Sequence, residues 1–248
     1  MTVFVLALIA GAVVGLALGG LGGGGSMLAV PALIYLLGFT AAQATTASLV
    51  IVTVTSLTGL IAHARAGRVH WRSGALFAAA GLPAAAASGA LSSAVPGAVL
   101  TAAFGLLAAI AAWRMLTPRR STGATRAAGP GRSAATGAGL GAVTGLLGVG
   151  GGFLAVPALV SVLALPMAEA IGTSLLVITA NSAAALAPRL GSVGGLEWGV
   201  VGPFTAAAIL GAWDGKRLAD KLSGATLRKV FAIALLAVAV LMLLDALT

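Results

Sequence analysis

Leu21–Gly22–Gly23–Gly24–Gly25–Ser26–Met27–Leu28–Ala29–Val30–Pro31 has a counterpart 126 positions later, Leu147–Gly148–Val149–Gly150–Gly151–Gly152–Phe153–Leu154–Ala155–Val156–Pro157. In both, a glycine run interrupts apolar sequence and leads into a short apolar arm ending in proline. Three glycines at four-residue spacing precede each: Gly11, Gly15 and Gly19, then Gly137, Gly141 and Gly145. Glycine tolerates unusual dihedrals and lets another backbone approach closely, so such a run can break a helix. A break that is duplicated inside apolar sequence predicts a membrane protein of two repeats, with a shared site at the breaks.

Composition agrees with that reading. Of 248 residues, 8% are charged and 60% hydrophobic, and the mean hydropathy is +1.12. A soluble domain is about 25% charged, so most of this chain avoids water by lying in a lipid bilayer. Uncharged stretches of about 20 residues, the length of a spanning helix, recur throughout. The absence of cysteine excludes disulfides, thiolate metal sites and cysteine nucleophiles. Residues 2–20 lack a basic start and belong to the repeat, which favours a retained helix over a cleaved signal peptide. The net charge of +9 lies in short loops between apolar segments. That pattern orients a chain in a membrane and does not call for a nucleic-acid partner.

Five apolar segments are predicted in each half. They run over 2–20, 26–38, 44–62, 73–92 and 97–115, then 134–147, 152–164, 170–187, 198–214 and 225–247. The second segment of each half is too short to cross a hydrocarbon layer of about 30 Å at about 1.5 Å per residue. It is one side of a re-entrant hairpin or one arm of a broken helix. The repeat continues past the glycines, pairing Ala44 with Ala170, Ser48–Leu49 with Ser174–Leu175, and Ser56 with Ser182. After one inserted residue it pairs Trp71 with Trp198, Gly97–Ala98 with Gly224–Ala225, and Phe104 with Phe231. The domains are therefore a first transmembrane repeat over 1–116, a polar linker over 117–133 and a second repeat over 134–248.

Basic residues set the orientation. Arg65, Arg68 and Arg72 share one loop. Arg114, Arg119, Arg120, Arg126 and Arg132 flank or occupy the linker, and Lys216, Arg217, Lys221, Arg228 and Lys229 precede the last segment. With all three clusters in the cytoplasm, Gly38–Gln43 faces outside and its counterpart Ala164–Glu169 inside. The expected fold is all-α and polytopic, with two inverted-topology repeats. Each has a glycine-broken or re-entrant helix pair followed by three transmembrane helices. The linker is cytoplasmic and both termini lie outside, provided each broken pair returns to its starting side.

A break in lipid leaves backbone groups without partners, each costing several kcal/mol unless something satisfies it. The short arms begin at Ser26 and Gly152, and helix N-termini bind anions through free N–H groups and the dipole. Backbone around Gly23, Gly24, Gly25 and Ser26, and around Gly150, Gly151 and Gly152, is the expected anion contact. The spaced glycines before each break are read as helix-packing positions. The third segments add a polar stripe. Ser48, Thr55 and Ser56 share one helical face and match Ser174, Asn181 and Ser182. Ser48, Ser174 and Asn181 are candidate donors, with Thr46 and Thr173 beside them; the alternative is hydroxyls bonding back to their own helices.

Gln43 aligns with Glu169 and His63 with Arg189, at opposite ends of the polar segments. These four could guide or gate an anion, although a loop-edge position favours simple solvation. His63 and His70 have no acidic neighbour in sequence, and metal binding is not expected. No nucleophile–base pair, phosphate loop or metal cluster is visible, so neither an enzyme nor a cofactor is expected. Nothing in the sequence supports a homo-oligomer.

The chain resembles the sulfite exporter TauE/SafE family of bacterial membrane transporters. The resemblance rests on Gly22–Gly25 through Val30–Pro31–Ala32–Leu33, on Gly150–Gly152 through Val156–Pro157–Ala158–Leu159, and on Gly172–Thr173–Ser174. It extends to Val69–His70–Trp71 and to Gly211 with Arg217–Leu218. Where the family often has Gly–Thr–Ser, the first half has Thr46–Ala47–Ser48. The resemblance implies a multi-pass protein of the bacterial inner membrane that exports a small sulfur-containing anion, sulfite or an organosulfonate. An anion channel or an importer of a related anion is the alternative.

Overall fold

The computed structural model describes residues 2–22, 26–91, 95–117, 130–147, 152–193 and 195–247. The first half contains α1 (Thr2–Leu21), α2 (Ser26–Pro31, continuing as a π-helical turn over Ala32–Leu36), α3 (Ala41–Arg65), α4 (Trp71–Leu91) and α5 (Gly97–Leu116). The second contains α6 (Pro130–Leu147), α7 (Gly152–Val162), α8 (Met167–Leu186), α9 (Leu190–Val193), α10 (Trp198–Ala219) and α11 (Gly224–Leu247), with a 3-10 turn at Ala187–Arg189. Among the described residues, four stretches are long and apolar enough to cross a membrane: Thr2–Leu21, Ala41–Arg65, Trp71–Leu91 and Met167–Arg189. Helix α6 starts at Pro130, inside the stretch read as linker. The short helix α9 is an element the apolar pattern did not suggest.

Packing is set by small residues. Helices α1 and α10 run parallel, with Gly11, Gly15 and Gly19 opposite Phe204, Ala208 and Ala212. A Cβ on Gly15 would lie 2.1 Å from the Ala208 carbonyl oxygen, so only glycine permits this approach. Helices α4 and α6 repeat the arrangement, with Gly137, Gly141 and Gly145 opposite Phe77, Gly81 and Ala85. Each half thus lends its first helix to the other half's fourth. Helices α3 and α8 cross antiparallel at the centre, pairing His63 with Gly172, Gly59 with Leu175 and Ser56 with Thr179. Helices α5 and α11 pack on each other.

Large apolar side chains point the other way. Leu76, Trp113, Leu210 and Ile233 are exposed, whereas Ser48, Thr55, Ser56, Thr173, Ser174 and Asn181 are buried. This inverts the soluble pattern and matches a surface solvated by lipid.

The two short arms end alike. The Phe39 N–H donates to Leu33 O at 3.0 Å and the Leu165 N–H to Leu159 O at 3.4 Å. That closure is seven-to-one, a residue wider than the usual Schellman contact, and like it follows a left-handed residue, supplied by Gly38 at φ 73° and by Ala164 at φ 54°. Ala164 is exposed and pays a steric cost that glycine avoids. Ala164→Gly should therefore raise stability by about 0.5–1 kcal/mol, and Gly38→Ala should lower it by about as much. Thermal unfolding of the two variants in detergent measures both signs; a loss with Ala164→Gly contradicts the strained cap.

Candidate functional site

Helix α1 stops at Leu21, and Gly22 follows at φ 65°. A Cβ there would come within 2.8 Å of Ser174 Oγ and 3.1 Å of the Ile171 Cα. The edge of the first break therefore lies directly against α8 of the second half, beside a predicted donor. Gly23–Gly25, Gly150 and Gly151 lie outside the described residues. Their neighbours Ser26 and Gly152 open α2 and α7, and Ser26 is fully buried. The arms α2 and α7 touch each other; α2 rests on α3 and α7 on α8.

The polar stripe divides into bonded and unbonded groups. Thr45 and Thr46 donate back to Ala42 O, at 2.9 and 3.1 Å, and Thr55 donates to Ile51 O. Ser174 donates to Ile171 O at 2.7 Å. These hydroxyls are engaged with their own helices, as such groups commonly are. Thr173 Oγ1 accepts the His70 backbone N–H at 3.0 Å and so secures the start of α4. Gly172 lies beneath the Arg68 carbonyl, where a Cβ would approach to 2.2 Å. The Gly172–Thr173 pair is therefore committed to holding the α3–α4 loop.

Other polar atoms are buried with no hydrogen-bond partner: Ser48 Oγ, Ser182 Oγ, His63 Nδ1 and both amide atoms of Asn181. Each such group costs about 1–3 kcal/mol, a cost that a polar ligand or water can remove. Asn181 lies against Gly81, the α4 glycine that also meets the Gly137 carbonyl of α6. Across the central pair, Ser56 Oγ and Thr179 Oγ1 are 2.8 Å apart. Thr179 was not among the residues singled out in sequence. Its counterpart in the repeat is Thr53, whose hydroxyl donates to Leu49 O of its own helix at 2.6 Å.

The four candidate guides have different roles. Gln43 closes a capping box with Thr40 at the start of α3: the Thr40 N–H donates to Gln43 Oε1 at 3.3 Å and the Gln43 N–H to Thr40 Oγ1 at 3.4 Å. In the second half the capping position is Pro166, which offers no such oxygen, and Glu169 pairs instead with His70 Nε2. His70 thus has an acidic neighbour in space that its sequence surroundings lack. His63 and Arg189 correct the expectation of solvated loop edges, because both are buried. His63 Nε2 lies 3.1 Å from Gly19 O, and Arg189 Nη2 donates to Gly145 O at 2.6 Å. Gly19 and Gly145 belong to the last turns of α1 and α6, whose carbonyls lack partners within their own helices. At each break, a basic side chain from the polar helix thus satisfies the helix end.

The face carrying Arg68 is strapped by charge. Arg68 pairs with Asp220, which also accepts from Lys216 at 3.0 Å. Burial works to raise the Asp220 pKa, but the hydrogen bonds and charges of Lys216 and Arg68 together hold it below the usual carboxylate value.

Bonded and unbonded hydroxyls should respond differently to removal. Ser56→Ala breaks the contact with Thr179 and should cost about 1 kcal/mol, whereas Ser48→Ala deletes an unpartnered oxygen and should leave stability unchanged or higher. Equal losses in thermal unfolding would contradict this division.

Comparisons with known proteins agree with the architecture. The family model described as "Sulfite exporter TauE/SafE" matches residues 7–242. A "Probable membrane transporter protein" of Xylella fastidiosa strain Temecula1 is 37% identical over 245 residues, covering 93% of this chain and 91% of the relative. A protein of the same description from strain 9a5c is 35% identical over 239 residues, with the same coverage of 93% and 91%. No solved structure matches the chain. An all-helical, multi-pass architecture and a match over nearly the whole sequence identify a membrane transporter, not an enzyme: the chain belongs to the sulfite exporter TauE/SafE family.

Proposed function

We propose that this transporter carries a small sulfur oxyanion, sulfite or an organosulfonate, outward across the bacterial inner membrane by alternating access of two inverted halves. The observation that carries this reading is the contact between α2 and α7, short arms that each open directly after a glycine break. Backbone N–H groups of Gly23–Ser26 and of Gly150–Gly152 are the proposed anion donors, as two successive stations rather than one, since Gly22 adjoins the Ile171–Ser174 end of α8 and Gly145 adjoins Arg189 at the other end; the positive ends of the helix dipoles favour both. Ser48 and Asn181 are side-chain donors, supported by their buried, unpartnered polar atoms. Ser174 belongs with them because it adjoins Gly22 at the first break. Thr46 and Thr173 are assigned a supporting role, since their hydroxyls are engaged within the protein.

The inverted relation is supported by exchanged contacts. Helix α1 packs on α10 as α6 packs on α4, and Gly19 is held by His63 as Gly145 is held by Arg189. The parallel and antiparallel pairings put residues 2, 40 and 247 toward one face and residues 65, 167 and 220 toward the other. On this reading, the face with Arg65 and Arg68 is cytoplasmic, by the preference of basic loops for that side.

Export of one negative charge across an inside-negative membrane gains about 2.3 kcal/mol per 100 mV. The few ionisable groups within the helices favour a voltage-driven uniport over a proton relay. Liposomes holding the purified protein and loaded with sulfite provide the test. Efflux should saturate and should accelerate when the receiving side is made positive. Flux that ignores the imposed potential removes the uniport, and absence of both sulfite and sulfoacetate flux removes the substrate class.

A further inference from the structure

We infer that Arg189 supplies a fixed positive charge that selects anions where α4 and α6 end; this rests on the oxyanion reading above. The guanidinium is 8% exposed, at the end of the membrane-crossing stretch Met167–Arg189. Its Nε donates to Gly89 O at 3.3 Å and its Nη2 to Gly145 O at 2.6 Å. These carbonyls lie in the last turns of α4 and α6. The negative ends of the two helix dipoles orient the side chain and offset part of its charge. Among the described residues no carboxylate pairs with it. A guanidinium has more N–H donors than two carbonyls can engage, so donors and residual charge remain beside the last turns of α4 and α6. A buried ionisable group in a membrane is costly and is retained where it meets an ion or a polar partner.

A second observation points along the same seam. Asn181 of α8 lies against Gly81 of α4, which itself meets the Gly137 carbonyl of α6, and Arg189, in the turn after α8, bonds to Gly89 and Gly145. Both residues therefore lie along the α4 side of the Met167–Arg189 stretch, eight residues apart as Gly81 and Gly89 are on α4. Asn181 brings an amide with neither atom satisfied, and Arg189 brings the charge. The corresponding residues of the first half are Thr55, which is bonded to its own helix, and His63, which makes a single contact to Gly19. The two halves thus differ at these positions, with an arginine in the second where the first has a histidine. The ligand class that suits this seam is a compact oxyanion able to accept from a guanidinium and from an amide in succession; an uncharged analogue of the same size does not suit it.

The test compares sulfite efflux kinetics and sulfite-dependent thermal stabilisation for the full chain and two variants. Arg189→Gln keeps amide donors for Gly145 O and removes the charge. Arg189→Lys keeps the charge and loses the two-carbonyl geometry. Loss of a charged donor should raise KM by about tenfold or more in Arg189→Gln, with the maximal rate held within about twofold. Arg189→Lys should keep KM near the wild-type value even as its thermal stability falls. An unchanged KM in Arg189→Gln overturns the inference. So does a KM in Arg189→Lys that rises with the loss of stability, since that marks a purely structural cap, and this comparison holds even if Arg189→Gln does not fold. If the wild-type chain neither binds nor moves sulfite or sulfoacetate, the oxyanion reading falls and the inference falls with it; an effect absent only in the variants' KM removes the inference alone.

Discussion

Apolar side chains gain little by leaving lipid for one another, so helices in a bilayer need another reason to associate. Close backbone approach provides it, through dispersion contacts and the exclusion of lipid from a narrow seam. Gly11, Gly15 and Gly19 let α1 lie on the backbone of α10, and Gly137, Gly141 and Gly145 let α6 lie on α4. Every one of these contacts joins the two halves. The first half's α1 is completed only by the second half's α10, and α6 only by α4. The central α3–α8 pair is enclosed by this exchange, which is why Ser48, Thr55, Ser56, Ser174 and Asn181 are buried while Leu76, Trp113, Leu210 and Ile233 face outward.

The same seams decide what happens at the breaks. Because α1 and α6 stop short, their last carbonyls are left inside the protein and need donors. His63 and Arg189 meet that need from the ends of α3 and α8. The breaks are thereby tied to the polar helices rather than left free. Gly22 lies against Ser174, so the first break touches a helix of the opposite half. Motion of one half against the other would change the surroundings of both breaks together. Such coupling is what the proposed alternating access would require.

The polar groups in the interior are not uniform. Thr45, Thr46, Thr55 and Ser174 are engaged with their own helices, and Thr173 holds the start of α4. Ser48, Asn181 and Ser182 are not engaged. A soluble protein would meet such orphans with water or replace them by apolar residues. Of these unpartnered groups, Ser48 and Asn181 are the ones that the proposed anion site would use.

Much of this was legible in the residues themselves. The duplicated glycine runs, the short arms after them and the scarcity of charge determined a helical membrane protein with doubled breaks, because backbone satisfaction in lipid allows few alternatives. The spaced glycines were correctly assigned to packing, since a Cβ-free stripe has that effect whatever it packs on. Their partners were not legible: nothing local in Gly81, Ala208 or Ala212 marks them as the opposite face of a seam. Nor could local pattern tell that Thr173 caps a distant loop while Ser48 stays unpaired, because a hydroxyl has the same propensity in both settings. His63 and Arg189 were misjudged for the same reason, since a basic residue at a helix end looks solvated until another helix stops beside it. Sequence determines which groups are able to bond and where the chain can break; tertiary structure alone decides which of those groups find partners, because the partners come from helices far apart along the chain.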